Sequence, residues 1–283
     1  MVRKIVTELR DFDNVYYEIC NECDFTGVLL DWQAHIAQTI ADSESSFLGK
    51  HLIAQEFGKK IENSVSQALL FTFHLSRPPD AVSLNYQFDK PIGMNESGFE
   101  GIADAPYRIQ SWEFFLAGGA IVDLLDYSFT VGHEDGTFRL PEGQPGGGSR
   151  ELRRQLGILG LFMNGLDFLR MSPAPSVIKG GLTANTSAYV LAEVGKSYAV
   201  YIDHAHPNNS AGSKRNYQVD STPHQIGLTL DISAGSYVAQ WVNTKTGAIA
   251  KEVKFKCGGG TQAIQSPTYS EDIALKISRA SGS

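Results

Sequence analysis

Basic side chains are in short supply: 24 Lys and Arg stand against 31 Asp and Glu in 283 residues, for a net charge of −7. Neutralising a phosphate backbone takes clustered Lys and Arg, so a nucleic acid is not the expected partner. Long apolar runs are missing too. The longest apolar stretches, such as Phe114 to Val122, are broken by glycines, and none reaches the about 18 residues of a membrane span. Cysteine is rare: Cys20, Cys23 and Cys257 cannot make a disulfide framework. Cys20 and Cys23 have the C-x-x-C spacing of a redox pair or half a zinc site, but no second such pair follows. They are read as two incidental thiols, and no metal or other cofactor is expected. The opening Met1-Val2-Arg3-Lys4-Ile5-Val6 contains no apolar leader.

What remains is ordinary globular material, 42% hydrophobic and 19% charged. Val2, Ile5, Val6 and Leu9 have helical spacing. The β-branched and aromatic run from Asn14 to Glu22 reads as a buried strand with polar groups at its C-terminal end. A helix over 31–46 follows, then strands over 51–57, 67–75 and 90–97, with a short helical connection at 78–87. Residues 108–125 read as a long apolar helix, 126–129 as a fifth strand and 150–169 as a last amphipathic helix. Strands alternating with helices are the rhythm of a parallel β/α fold, in which chemistry sits at the strand C-termini. After Pro173 short strands recur at 188–193, 197–202, 227–232, 236–242 and 272–277, the pattern of an antiparallel sandwich. The expected organisation is a partial (β/α) barrel over 1–172 and a β-sandwich domain over 173–283.

Two strand-end carboxylates stand out, Glu22 in Cys-Asn-Glu and Glu96 in Met-Asn-Glu-Ser. Cleaving a glycosidic bond takes one carboxyl to protonate the leaving oxygen and another to attack the anomeric carbon or activate water. The plain alternative for each is a helix cap or the partner of a nearby arginine. Their matched Asn-Glu settings on two different strands favour the chemical reading.

The same strings carry a resemblance. Asn14 to Glu22 resembles the fourth strand of clan-A glycoside hydrolases, and Lys90 to Phe99 the seventh. Residues 112–120, 125–136 and 241–247 are similar to a bacterial group of cellulase-like or apiosidase-like TIM-type barrels with a C-terminal domain labelled collagen-binding. The resemblance runs through essentially the whole chain. It implies retaining cleavage of O-glycosidic bonds in poly- or oligosaccharides, with Glu22 as acid/base, Asn21 as a sugar-hydroxyl partner and Glu96 as nucleophile. His74 then either lines the sugar site or packs as a buried neighbour. Trp112 stacks on sugar or belongs to the core, and Tyr127 reaches the cleft.

On the same alignment Met1 falls inside the helix before the fourth strand, so about the last five βα units are present. Self-association through the open barrel edge is therefore expected. The competing reading is a catalytically impaired fragment or a non-catalytic remnant that binds carbohydrate or protein. The resemblance implies export, to which this sequence adds no leader. For Tyr198, Tyr201, Tyr217, Tyr237 and Trp241 of the second domain, a core role is favoured over sugar stacking.

Overall fold

A computed structural model describes residues 1–74, 78–97, 99–141, 147–207 and 217–280. It divides into two compact units, Met1–Ser97 with Gly119–Asp123, and Gly98–Gly118 with Leu124–Ser283.

The first unit is built on five strands: β1 (Tyr17–Glu18), β2 (Ile53–Phe57), β3 (Leu70–His74), β4 (Ile92–Ser97) and β5 (Ile121–Leu124), side by side in chain order. The β1–β2, β2–β3 and β3–β4 pairs are parallel. Helices α1 (Val2–Leu9), α2 (Cys23–Thr26), α3 (Leu30–Ser43) and α4 (Pro78–Asn85) occupy the connections. Every residue of β2 and β3 is buried, and Ile53, Ala54, Phe57, Leu70, Phe71 and Phe73 supply their apolar surface. The sheet is open, a parallel half-barrel with helices, as expected from sequence.

Its fifth strand lies earlier than the sequence suggested. The apolar stretch after Arg108 is not one helix to 125. Helix α5 (Asp104–Leu116) stops before Gly118, whose φ of +107° a side chain would resist, and the chain re-enters the sheet at Ile121. The 126–129 strand is replaced by an isolated bridge, Asp126 to Gly147.

β1 and β5 form the two ends of the sheet, and Phe12, Leu29, Trp32 and Leu48 are exposed apolar side chains of this unit. Among the described residues neither edge strand has a second partner, and open sheet edges and exposed apolar side chains favour pairing with another copy. Sedimentation velocity should show species above the 30.9 kDa monomer that grow with concentration. A single monomer boundary across that range would contradict the expectation.

In the second unit, a three-stranded antiparallel sheet (Ile178–Gly180, Gly227–Ile232, Gly260–Gln265) faces a six-stranded antiparallel one. The larger sheet contains Ser187–Glu193, Ser197–Asp203, Gly235–Val242, Ile249–Cys257 and Asp272–Arg279. Leu228, Leu230, Ile232 and Ile264 from one sheet and Val200, Tyr198, Tyr237, Trp241 and Ile277 from the other fill a single core. The other face of the larger sheet is covered by α5 and α6 (Arg150–Asn164) through Ile109, Trp112, Leu116, Ile158 and Phe162.

Candidate active site

Four carboxylates and one imidazole converge at the C-terminal ends of β1 to β4. Glu56 is the penultimate residue of β2 and His74 the last of β3. Glu96 is next to last in β4. Parallel pairing puts residues in register on the same face, and Glu56 pairs with Thr72, which pairs with Gly93. Strict alternation would then send Asn95 inward with Gly93 and Glu96 outward with Met94. Instead the register slips between Phe73 and His74, so that His74 pairs with Glu96. This bulge is what lets two consecutive polar residues serve one face.

β1 ends at Glu18, and the chain turns sharply through Cys20-Asn21-Glu22 into the single helical turn of α2. Glu22 caps that turn with left-handed backbone angles, φ +51° and ψ +40°. Its N–H donates to a Glu56 carboxylate oxygen. Asp24 accepts the N–H of Gly58 at 3.0 Å, which ties α2 to the end of β2. The turn also brings the Cys20 and Cys23 Cα atoms to 6.0 Å, within disulfide reach, and their sulfurs are bonded. The reading as two incidental thiols is corrected: a left-handed residue inside the C-x-x-C closes the pair.

Side-chain atoms of Glu22, His74 and Glu96 all lie within 4.8 Å of one another, and so do those of Glu18, Glu56 and His74. His74 Nδ1 is 3.3 Å from Glu96 Oε2 and 3.8 Å from Glu56 Oε1, while Nε2 is 3.9 Å from Glu18 Oε1. Glu18 is fixed from two further sides, by the Thr72 hydroxyl at 2.8 Å and by the Asn95 amide. Tyr16 in turn donates to Asn95 Oδ1 at 3.3 Å. Asn21 is exposed beside Glu22. Either triad would also suit a divalent cation by ligand type, although carboxylates gather in this way without one.

Crowding like charges out of water raises the cost of ionisation. Burial, opposed by the Glu22 N–H and reinforced by Glu18, Asp24 and Glu22, pushes Glu56 from the ordinary 4.5 to about 7. Burial likewise raises Glu18, against the pull of the Thr72 hydroxyl and His74. A carboxyl whose folded pKa is raised holds its proton where the unfolded chain has lost it. The resulting stability is complete below about pH 4.5 and is lost as pH rises through about 7. The full swing is roughly 3 kcal/mol at 1.36 kcal/mol per unit. Glu56→Gln, neutral throughout, should flatten that slope, as seen by chemical denaturation at pH 5 and pH 8. Parallel pH profiles for the two proteins would show that Glu56 ionises as freely as an exposed glutamate.

Of the residues expected from sequence, the structure gathers Glu22, Glu96 and His74, with Asn21 adjoining. Trp112 is a correction. Its indole is fully buried in the second unit, stacked on Tyr201 at 5.4 Å and edge-on to Phe162 at 4.9 Å, with no free face for a sugar. Tyr127 belongs to the second unit, half-buried, its N–H donating to the Gly147 carbonyl. Of the five second-domain aromatics, Tyr198, Tyr201, Tyr237 and Trp241 are core. Sequence reasoning passed over Glu18 and Glu56. The available signal was a carboxylate inside a short strand flanked by apolar residues, near its C-terminal end, as in Ile53-Ala-Gln-Glu-Phe57.

No known family model matches this sequence, and no curated protein matches it either. Solved structures do. A glycoside hydrolase superposes with a TM-score of 0.66 at 16% identity over 100% of this chain and 68% of its own. A glycoside hydrolase family 5 protein from Bacteroides vulgatus superposes with a TM-score of 0.64 at 15% identity over 98% of this chain and 65% of its own. The chain thus spans about two thirds of the length of these proteins. At such identity the likeness is one of fold: a parallel half-barrel followed by antiparallel sheets, as in glycoside hydrolases.

Proposed function

We propose that this chain carries the catalytic carboxyl pair of a retaining glycoside hydrolase acting on O-glycosidic bonds of poly- or oligosaccharides. The observation that carries the reading is that a carboxylate oxygen of Glu22, in the turn after β1, lies within 4.8 Å of one of Glu96, near the end of β4. Retention takes carboxyls about 5–5.5 Å apart, whereas inversion leaves room for water at about 6.5–9.5 Å. An oxygen-to-oxygen approach within 4.8 Å is compatible with the shorter separation. Glu96, paired with His74 of the neighbouring strand, is the nucleophile that attacks the anomeric carbon. Glu22 protonates the departing oxygen and later draws a proton from water. His74 packs beside Glu96, Nδ1 3.3 Å from Oε2, while Glu18 and Glu56 tune the charge around both.

The fold likeness supports the class of reaction; the sugar and the linkage are not part of the proposal. The test is a panel of aryl glycosides and plant oligosaccharides, with Glu22→Ala as the diagnostic variant. Loss of a general acid costs about 10²- to 10⁴-fold in rate. Azide, which needs no general base, should restore turnover of activated substrates and give a glycosyl azide of retained configuration. No hydrolysis of any member of the panel by the parent chain would favour the remnant reading instead.

A further inference from the structure

We propose that Cys20 and Cys23 are positioning residues: their disulfide holds Glu22 toward Glu96, so that the redox state of this pair sets whether the acid is in place. The inference rests on the reading of Glu22 as the acid, and its test separates the two.

Between the two bonded sulfurs lie only Asn21 and Glu22. Glu22 is one of four non-glycine residues with positive φ among those described. A Cβ resists that conformation, so something must hold it there. Local structure holds its carbonyl side, through the Phe25 and Thr26 N–H groups at 3.1 and 3.0 Å, but not its side chain. α2 is one turn of four residues, and its capping residue makes no side-chain cap bond. The Glu22 N–H to Glu56 contact and the Thr26 hydroxyl on the Glu22 carbonyl at 2.9 Å are consequences of the turn as much as causes. The disulfide is the one covalent restraint across it. Cys23 is buried at 1% exposure and anchors one side, and half-buried Cys20 leaves the bond open to a small thiol.

The chemistry balances simply. Closing the pair removes two electrons and two protons from the thiols, which an oxidised thiol reagent accepts. A dithiol reductant such as dithiothreitol returns them, breaks the S–S bond and ends as its own cyclic disulfide. With the link opened, Glu22 is free to relax to negative φ, which redirects both its carboxylate and its N–H.

The experiment uses the full chain, oxidised or reduced, beside the double variant Cys20→Ser/Cys23→Ser. Mass spectrometry after alkylation counts the thiols, with the unpaired Cys257 as internal reference. Hydrogen exchange at the Glu22 amide is the readout that needs no activity. Reduction should raise its exchange rate by about an order of magnitude, and the double variant should exchange fast in both conditions. In kcat/KM, which reports formation of the glycosyl-enzyme, reduction should slow substrates with poor leaving groups by about tenfold or more while sparing dinitrophenyl glycosides, whose departure needs little acid assistance. A merely structural disulfide would slow both alike. Cysteines that never pair, or a Glu22 amide and leaving-group dependence indifferent to redox state, would overturn the inference. A redox-sensitive amide in a chain inactive in both states would instead sustain the positioning and remove the glycosidase reading.

Discussion

Glu96→Gln should reduce turnover on the order of 10⁶-fold, the scale seen when a covalent nucleophile is removed. The amide keeps the size of the side chain and can still face His74, so the fold should survive. What it loses is the lone pair and negative charge that attack the anomeric carbon and stabilise the oxocarbenium-like transition state. The effect should fall on kcat for every substrate, whatever the leaving group. That separates it from Glu22→Ala, whose loss is greatest for poor leaving groups. Steady-state kinetics with one good and one poor leaving group reads both patterns. A Glu96→Gln protein with parental kcat would remove Glu96 from the chemistry.

Arg108→Ala should cost the second unit about 3–5 kcal/mol, the penalty for breaking a buried ion pair from one side. The guanidinium is 2% exposed on α5. It donates to Asp272 at 2.8 and 3.1 Å, to Glu271 at 2.7 Å and to Gln155 of α6 at 2.9 Å. Tyr201 shares Asp272 through its hydroxyl at 2.9 Å. Removing the arginine strands Asp272 among Tyr201 and the apolar face of α5. Thermal unfolding of the second unit should shift down on the order of 10 °C. Arg108→Met combined with Asp272→Leu should recover much of the loss, because neither charge is then left alone. An unchanged midpoint in Arg108→Ala would mean that water reaches Asp272 freely.

Much of this architecture was legible because the half-barrel obeys the rule that sequence patterns report. Leu70–His74 is a mostly apolar run that ends in a polar group, as a buried parallel strand can be, and Ile53–Phe57 is a second short run whose ends are apolar. Glu96 falls within β4 where the pattern put it, whereas the strand expected to run to Glu22 stops at Glu18 and leaves Glu22 in the turn that caps α2. Other features were silent for physical causes. The edge strand Ile249–Cys257 alternates Val253, Phe255 and Cys257 with Glu252, Lys254 and Lys256, but it buries none of them fully, so its charged residues dominate the reading. Gly118-Gly119 looked tolerable within a helix, and only the backbone at Gly118 shows why the helix stops. Trp112 was misplaced because an aromatic on an apolar helix looks the same from sequence whether it faces a ligand or a sheet. Glu18 and Glu56 were hidden because their burial is set by neighbours on other strands.

The central claim, that Glu96 attacks and Glu22 protonates across the ends of two strands, is tested most directly by trapping the covalent intermediate. A 2-deoxy-2-fluoro glycoside with an activated leaving group slows both transition states, and its leaving group dispenses with the acid. Incubation followed by peptide mass spectrometry should find one sugar per chain, esterified to Glu96, in both the parent and Glu22→Ala. A label on Glu22, Glu18 or Glu56 in place of Glu96, or no label from any activated sugar that the chain hydrolyses, would contradict the account.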